Sequence, residues 1–370
     1  MSVSWSMWLR LSDSMRREVG RYVDVVLRLL LGALFLFSGA VKSVDTVGTS
    51  LYVEKYLDAF GLGVLDEAAW LVAVLLGAAE ISLGVLLIIN VLRRYVSFFA
   101  LLFITVFTVI TLINLTILPI GDCGCFGDAL YLSPWATFLK NLILLPIAVV
   151  VWLMGRRVRG ARAAEWCVAI ATLSLAIALN LYVLHHLPLI DFMPYAEGTN
   201  LGVRVAEERR RIADMSHTEL RFRNRLTGEE LRFPADDVAC WADANLEYVD
   251  AVTVVPDDAS TLYADFALYD AAGRDVAEEV LGRGGRQVWL CVSDYEVLRA
   301  NMRSVERLLR DADGELLVLC AANCSAVESL LAKECYRADA MLLRSIIRAD
   351  VGVVVLNDGV VVRKINIGDV

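Results

Sequence analysis

Two cysteines one residue apart carry the sharpest chemistry in this chain. They lie in the run Gly121-Asp122-Cys123-Gly124-Cys125-Phe126-Gly127. Cys-x-Cys with a central glycine can close a very small disulfide ring, because glycine supplies the backbone freedom the ring needs. A strained ring of that kind is labile and oxidising rather than a structural staple. The chemistry this predicts at Cys123 and Cys125 is reversible dithiol–disulfide exchange. A turn that buries both thiols fits the same residues. So does half a metal site, though the two further ligands are not close in sequence, and no metal is expected. A second pair, Cys320 and Cys324, is separated by Ala321-Ala322-Asn323 and can also close a disulfide. It reads either as a redox pair or as a structural bridge or packed thiols. Of the other cysteines, Cys167 and Cys291 read as buried small hydrophobes. Cys240 and Cys335 are a candidate structural bridge, although connectivity is not legible from sequence.

Polar side chains in apolar surroundings come next. Lys42, Lys140 and Asn141, with Asn114, are expected near the same ends of their helices as the dithiol. An ammonium beside a thiol favours the thiolate, while either lysine can instead snorkel toward headgroups. Glu80 falls about ten residues into an apolar run, where an ionisable group is costly and should have a partner. It reads as a proton relay or a quinone-site group, or as a structural hydrogen bond inside a bundle. His185 and His186 close the last apolar run at its interface.

The elements that must position these residues follow from composition. Of 370 residues, 58% are hydrophobic and 21% charged, and mean hydropathy is +0.58. A single soluble domain is excluded by that excess. Five apolar stretches, near 24–41, 69–91, 95–118, 136–154 and 164–186, approach the roughly 20 residues that cross a hydrocarbon core. Residues 1–190 hold 14 Lys/Arg and 12 Asp/Glu, so the remaining residues carry a net charge of −11 out of −9 overall. An acidic second half without a basic stripe excludes nucleic acid as a partner. Arginines crowd the N-terminal arm and the second and fourth connections, whereas residues 119–135 contain no Lys or Arg. The positive-inside rule then puts the N-terminus in the cytoplasm and everything past about residue 187 in the periplasm of a bacterial inner membrane. The first stretch also fits a secretory signal loosely, with Ser38-Gly39-Ala40 as its small residues, but the arm before it is long for one. On this topology seven of the eight cysteines lie at or beyond the outer face, where disulfides persist.

Residues 191–370 read as an α/β domain. Alternation about Thr227-Gly228 predicts a hairpin over 220–233. Residues 287–292 and 316–319 are buried strands. Residues 294–311, 324–334 and 342–348 are helices, and 353–363 a closing hairpin around Asp358-Gly359. The order β-α-β-α-β-β is that of a thioredoxin-like fold, and Asp265 to Arg274 looks like the opening hairpin of periplasmic thioredoxin-like proteins. The place where such a fold puts Cys-x-x-Cys at a helix start here reads Ser293-Asp294-Tyr295-Glu296. The usual proline before the last hairpin is Val351. The active site of this domain is therefore degenerate.

Phe37-Ser38-Gly39-Ala40-Val41-Lys42-Ser43-Val44-Asp45, Ala79-Glu80 with Gly84, Asp122 to Gly127, Trp135 and Lys140-Asn141 together resemble the DoxX/MauE group of membrane proteins. The later residues Asp191 to Tyr195, Leu343 to Arg348 and Gly352 to Gly359 are similar to DoxX relatives of Bacteroidetes that carry a fifth helix and an outer domain. The resemblance implies a four-helix membrane domain over 24–154. Before it lies a cytoplasmic arm (1–23), and after it a loop and fifth helix (155–190) and the outer domain (191–370). It implies an association with methylamine utilisation and with disulfide formation in a partner enzyme, or with quinone-linked sulfur oxidation.

Three functions are consistent with these residues. The first is a membrane thiol–disulfide protein, a thiol–disulfide or quinone-linked oxidoreductase. Cys123, Cys125, Cys320 and Cys324 would be its redox residues, and Glu80, Lys42, Lys140 and Asn141 would line a quinone site. Its partners would be the lipid bilayer and an extracytoplasmic thiol protein. The second is a non-enzymatic scaffold whose degenerate thioredoxin-like domain binds a partner. The third, a transporter, lacks clear inverted repeats.

Overall fold

The apolar stretches fold as helices. The computed structural model of the chain describes residues 3–117, 124, 127–130, 132–158, 160–254, 263, 266–311 and 313–369. The chain divides after Met193 into two compact units.

The first unit is helical. It comprises α1 (Val3–Val44), α2 (Thr46–Ala59), α3 (Ala69–Ile89), α4 (Arg93–Thr116), α5 (Pro134–Gly155) and α6 (Ala163–His185). Five segments are long and apolar enough to cross a membrane: Glu18–Val44, Gly63–Ile89, Arg93–Thr116, Pro134–Gly155 and Ala163–His185. They correspond to the five expected stretches. Helix α2 was expected only as a connection. It starts because Asp45 turns out of α1 and its side chain accepts the Gly48 amide, a standard N-cap. Its first six residues, Thr46 to Leu51, are buried.

Small residues bring α1 and α3 together. A methyl group on Gly39 would stand 2.5 Å from the Ile81 amide nitrogen, and one on Gly84 would stand 2.5 Å from that of Leu36. Gly32 faces Gly84 and Leu87, and Gly77 faces Ser43 and Asn180. Lipid tails are as apolar as leucine, so close backbone approach of this kind supplies the packing that holds membrane helices together. Around this seam Leu31, Phe35, Leu87, Val96, Ala100 and Ala148 form a buried core.

The second unit is α/β. After α7 (Leu201–Met215) comes an antiparallel sheet in the order β2-β1-β3, from β1 (His217–Asn224), β2 (Glu230–Pro234) and β3 (Leu246–Val254). The short α8 (Ala239–Ala242) interrupts it. The β1–β2 pair is the hairpin expected over 220–233. Next are α9 (Ala277–Gly282), β4 (Arg286–Val292), α10 (Tyr295–Ala300), α11 (Met302–Asp311), β5 (Glu315–Cys320), α12 (Cys324–Leu331), β6 (Cys335–Arg337), α13 (Ala340–Ile347), β7 (Val351–Asn357) and β8 (Val360–Asn366). These strands make one sheet in the order β6-β5-β4-β7-β8. β4 is parallel to β5 and antiparallel to β7, and β7 is antiparallel to β8, which makes the sheet mixed. Val288, Leu290 and Val292 face one apolar layer, with Leu298, Val305 and Val327 of the helices. Trp289 and Cys291 alternate to the other face, as strands covered on both sides require. The helix expected over 294–311 is two helices, because the Asn301 amide closes α10 on the Val297 and Leu298 carbonyls.

Candidate functional site

The run Ser38-Gly39-Ala40-Val41-Lys42 ends α1 with small and polar residues on one helical face. Ser38 and Lys42 are one turn apart, so their side chains meet. Lys42 Nζ donates to Ser38 Oγ at 2.8 Å and to Glu80 Oε1 and Oε2 at 3.0 and 2.9 Å. The two charged side chains are 4% and 3% exposed. Gly39 makes room for this, since its Cα lies against the Glu80 backbone. Lys42 therefore does not snorkel. It turns back along α1 into the bundle, and Glu80 has the partner its depth demands. Asp45, three residues on, caps α2.

A second polar layer lies beside the pair. Asn180 of α6 donates to Ser43 Oγ at 2.8 Å and to the Ala176 carbonyl, and accepts from Thr46 at 3.2 Å. It ties α6 to the junction of α1 and α2 and is fully buried. The sequence reading missed Asn180. Its signal was an amide in the last third of an otherwise largely apolar fifth span.

Cys123 and Cys125 lie outside the described residues. The glycine between them is described. Gly124 has φ +62°, and a Cβ there would sit 2.8 Å from the ring of Tyr52 on α2. The left-handed backbone and the ring contact both demand glycine. Gly127, whose amide donates to the Gly124 carbonyl, lies against Val41, the neighbour of Lys42. Lys55 places its ammonium 5.6 Å from the centre of the Tyr52 ring. The described glycines of the dithiol loop thus rest on α2 and on the end of α1 that carries the ion pair. Tyr52 and Lys55 were not foreseen, because α2 itself was not.

Asn141 and Lys140 belong to α5. Asn141 is buried and donates to Thr111 of α4 at 3.3 Å, which joins the α4–α5 pair. Lys140 is half-buried. Asn114, one turn beyond Thr111, donates to Tyr56 of α2 at 3.4 Å. Among the described residues no group of three or more His, Cys, Asp or Glu is arranged to hold a metal.

In the α/β unit Cys320 and Cys324 are joined in a disulfide. Cys320 ends β5 and Cys324 opens α12, with Asn323 at φ +54° turning the chain between them. Cys320 pairs in register with Val292, the last residue of β4. The bridge therefore stands at the carboxyl ends of the parallel strands, where open α/β sheets put their chemistry. One strand away, at the end of β4, Ser293 and Asp294 act as capping groups. Asp294 accepts the Glu296 and Val297 amides at the start of α10, and Ser293 donates both its amide and its hydroxyl to the Asp350 carbonyl. A side-chain carboxylate, that of Asp294, therefore occupies the start of α10.

Cys240 and Cys335 do not form the expected bridge; both are free and buried. Cys240 donates its thiol to the Asp237 carbonyl and packs with Leu220 and Phe222 of the small sheet. Cys335 lies on β6 in the other sheet, where burial first, and then Glu328 and Glu334, push its thiol up to about 11. Cys291 is core as expected, pushed up to about 12 by burial against a smaller opposing pull from Lys364. Cys167 is exposed rather than buried.

Comparison with known proteins bears on the membrane unit. Residues 20–155 match the family model described as methylamine utilisation protein MauE. A curated relative, Protein TlpB of Flavobacterium psychrophilum, is 27% identical over 145 residues, which is 38% of this chain and 39% of that protein. The chain thus spans well under half the length of that relative. No solved structure matches. The family match speaks to the MauE side of the resemblance and not to DoxX. The family similarity is confined to residues 20–155, within the helical unit.

Proposed function

We propose that the chain is an integral-membrane thiol–disulfide redox protein whose working pair is Cys123 and Cys125, acting at the extracytoplasmic face to support disulfide formation in a partner protein. The observation that carries this reading is the seating of Gly124 on Tyr52, with Lys55 over the ring and Gly127 on Val41. The fold invests a left-handed glycine, an aromatic ring and a cation at the residue between the two thiols. In this reading the Lys55 ammonium, seated on the ring that carries Gly124, has the role of favouring the thiolate of the reduced form, which makes the disulfide the better oxidant.

In the proposed cycle a partner thiolate attacks the Cys123–Cys125 disulfide. One S–S bond breaks as a mixed disulfide forms. A second partner thiolate then displaces the chain's cysteine, leaving the partner oxidised and Cys123 and Cys125 reduced. Reoxidation removes two electrons and two protons, and a membrane quinone is the acceptor class that takes up both. Lys42 and Glu80 fit the proton side of that step better than direct binding of a ring, since their polar atoms are turned on each other and on Ser38. Lys140 and Asn141 belong, in this reading, to the α4–α5 wall of the same bundle. Cys320–Cys324 serves as a second disulfide that the chain itself keeps at high effective concentration.

The test is redox trapping of the full chain in membranes. Rapid alkylation and mass spectrometry should find Cys123 and Cys125 shifting between dithiol and disulfide as the quinone pool or external thiols are changed. A fixed state under both treatments overturns the proposal. Retention of partner oxidation in the Cys123→Ser, Cys125→Ser protein overturns it too and leaves the α/β unit as a binding scaffold.

A further inference from the structure

We infer that the membrane unit holds one anionic phospholipid, with its chains in the groove between α3, α4 and α6 and its phosphate on Arg94 and Arg162. The groove is a cavity of about 580 Å³, lined by Leu83, Leu86, Phe99, Phe103, Trp166 and Ile170 among others and almost wholly apolar. Its flank faces the hydrocarbon, since Phe99 and Ile170 are exposed on the surface of spanning helices. At one end it meets a second, polar pocket of about 430 Å³, and Leu92 and Tyr95 line both. That pocket is formed where α4 and α6 begin, and Arg93, Arg94, Arg162 and Glu165 line it.

Its charge balance is positive once existing pairs are set aside. Arg93 is committed to Asp24. Glu165 spends its carboxylate on the Leu92 amide at 3.1 Å. Arg94 and Arg162 are exposed and have no carboxylate partner among the described residues. An apolar trough that ends in two uncommitted guanidiniums at the ends of spanning helices is complementary to one molecular class in a bilayer: an acyl chain ester carrying a phosphate. Arginine suits the phosphate because its planar fork donates two hydrogen bonds at once. A zwitterionic lipid cancels the attraction with its own ammonium, and a neutral isoprenoid leaves the arginines unused.

The experiment is native mass spectrometry of the full chain released from bilayer discs of phosphatidylcholine with phosphatidylglycerol. The expected result is retention of one phosphatidylglycerol, and a loss of about 30-fold in its preference over phosphatidylcholine in the Arg94→Gln, Arg162→Gln protein, as two arginine charges near a membrane surface imply. Both side chains are exposed, so the fold is not at stake. Arg156→Gln with Arg157→Gln, on the same face but outside the pocket, should leave the preference within about twofold. Equal loss from both double variants means general surface charge and overturns the site. So does equal retention of the two lipids by the unaltered chain, or displacement of phosphatidylglycerol by an added isoprenoid quinone regardless of Arg94 and Arg162. Ala169→Phe, which fills the groove without touching charge, should lower retention of either lipid.

Discussion

The buried Lys42–Glu80 pair offers the most demanding test of the bundle. Removing either charge strands the other inside the membrane unit. Both side chains are nearly inaccessible, and the ammonium meets both carboxylate oxygens within 3.0 Å. Breaking a pair of this kind from one side typically costs about 3–5 kcal/mol, because an uncompensated buried charge remains. Replacing both partners with apolar residues of similar volume is close to neutral. Lys42→Met and Glu80→Leu should therefore each destabilise the unit by about 3–5 kcal/mol, and the double variant by roughly 1 kcal/mol or less. The coupling is then far outside the few tenths expected of independent sites. The assay is denaturant unfolding of the full chain in bilayer discs, with a helical signal and all four members of the cycle measured at one lipid composition. Additive losses in the double variant would refute the reasoning, because they would mean that the two groups do not compensate each other.

Three further outcomes follow from the geometry. Gly124→Ala should slow reoxidation of Cys123 and Cys125 and destabilise the loop by roughly 1–2 kcal/mol, the cost of a left-handed non-glycine residue; Tyr52→Leu should relieve the ring contact without relieving that cost, so a full rescue would contradict the account. Cys320→Ser with Cys324→Ser should lower the stability of the α/β unit by about 2 kcal/mol, the chain-entropy value for so short a loop, read by hydrogen exchange over β5 and α12. Burial raises Cys291 from 9.0 to about 12, so the folded unit holds this proton more tightly than the unfolded chain. That stability is intact below pH 9 and is lost as pH rises through the window up to about 12. Exchange protection of β4 and β7 should fall across that window, and Cys291→Ala should remove part of the slope.

What was legible in the sequence is what depends on local composition. The five spans follow from apolar runs of the right length, and the strands β4, β5, β7 and β8 from short apolar runs between helices and a closing Asp358-Gly359 turn. What was not legible depends on contacts between segments. Lys42 and Glu80 were each singled out and both assigned to a quinone site, but not paired with each other, since nothing in a separation of 38 residues says that α1 and α3 lie antiparallel with those positions level. Helix α2 escaped because its buried part is Thr46, Val47, Gly48, Thr49, Ser50 and Leu51, mostly small polar residues that carry no apolar stripe. The Cys240–Cys335 bridge failed because Cys240, in α8, packs on the small antiparallel sheet whereas Cys335 lies on β6 of the other sheet. The capping of α10 by Asp294 was visible as acidity at a thiol position, although the part played by Asp350 was not.

The glycines of α1 and α3 do more than permit contact. Gly32 and Gly39 are seven residues apart, as are Gly77 and Gly84, so each helix offers small notches two turns, about 10.5 Å, from one another. A slip of one turn would drive side chains into backbone. A slip of two turns would restore some notches but would leave Lys42 and Glu80 buried without each other. Shape thus restricts the two helices to a few discrete alignments, and charge selects one of them. A bundle packed in the wrong register would hold two buried charges without compensation, which makes the native alignment the most stable of the set.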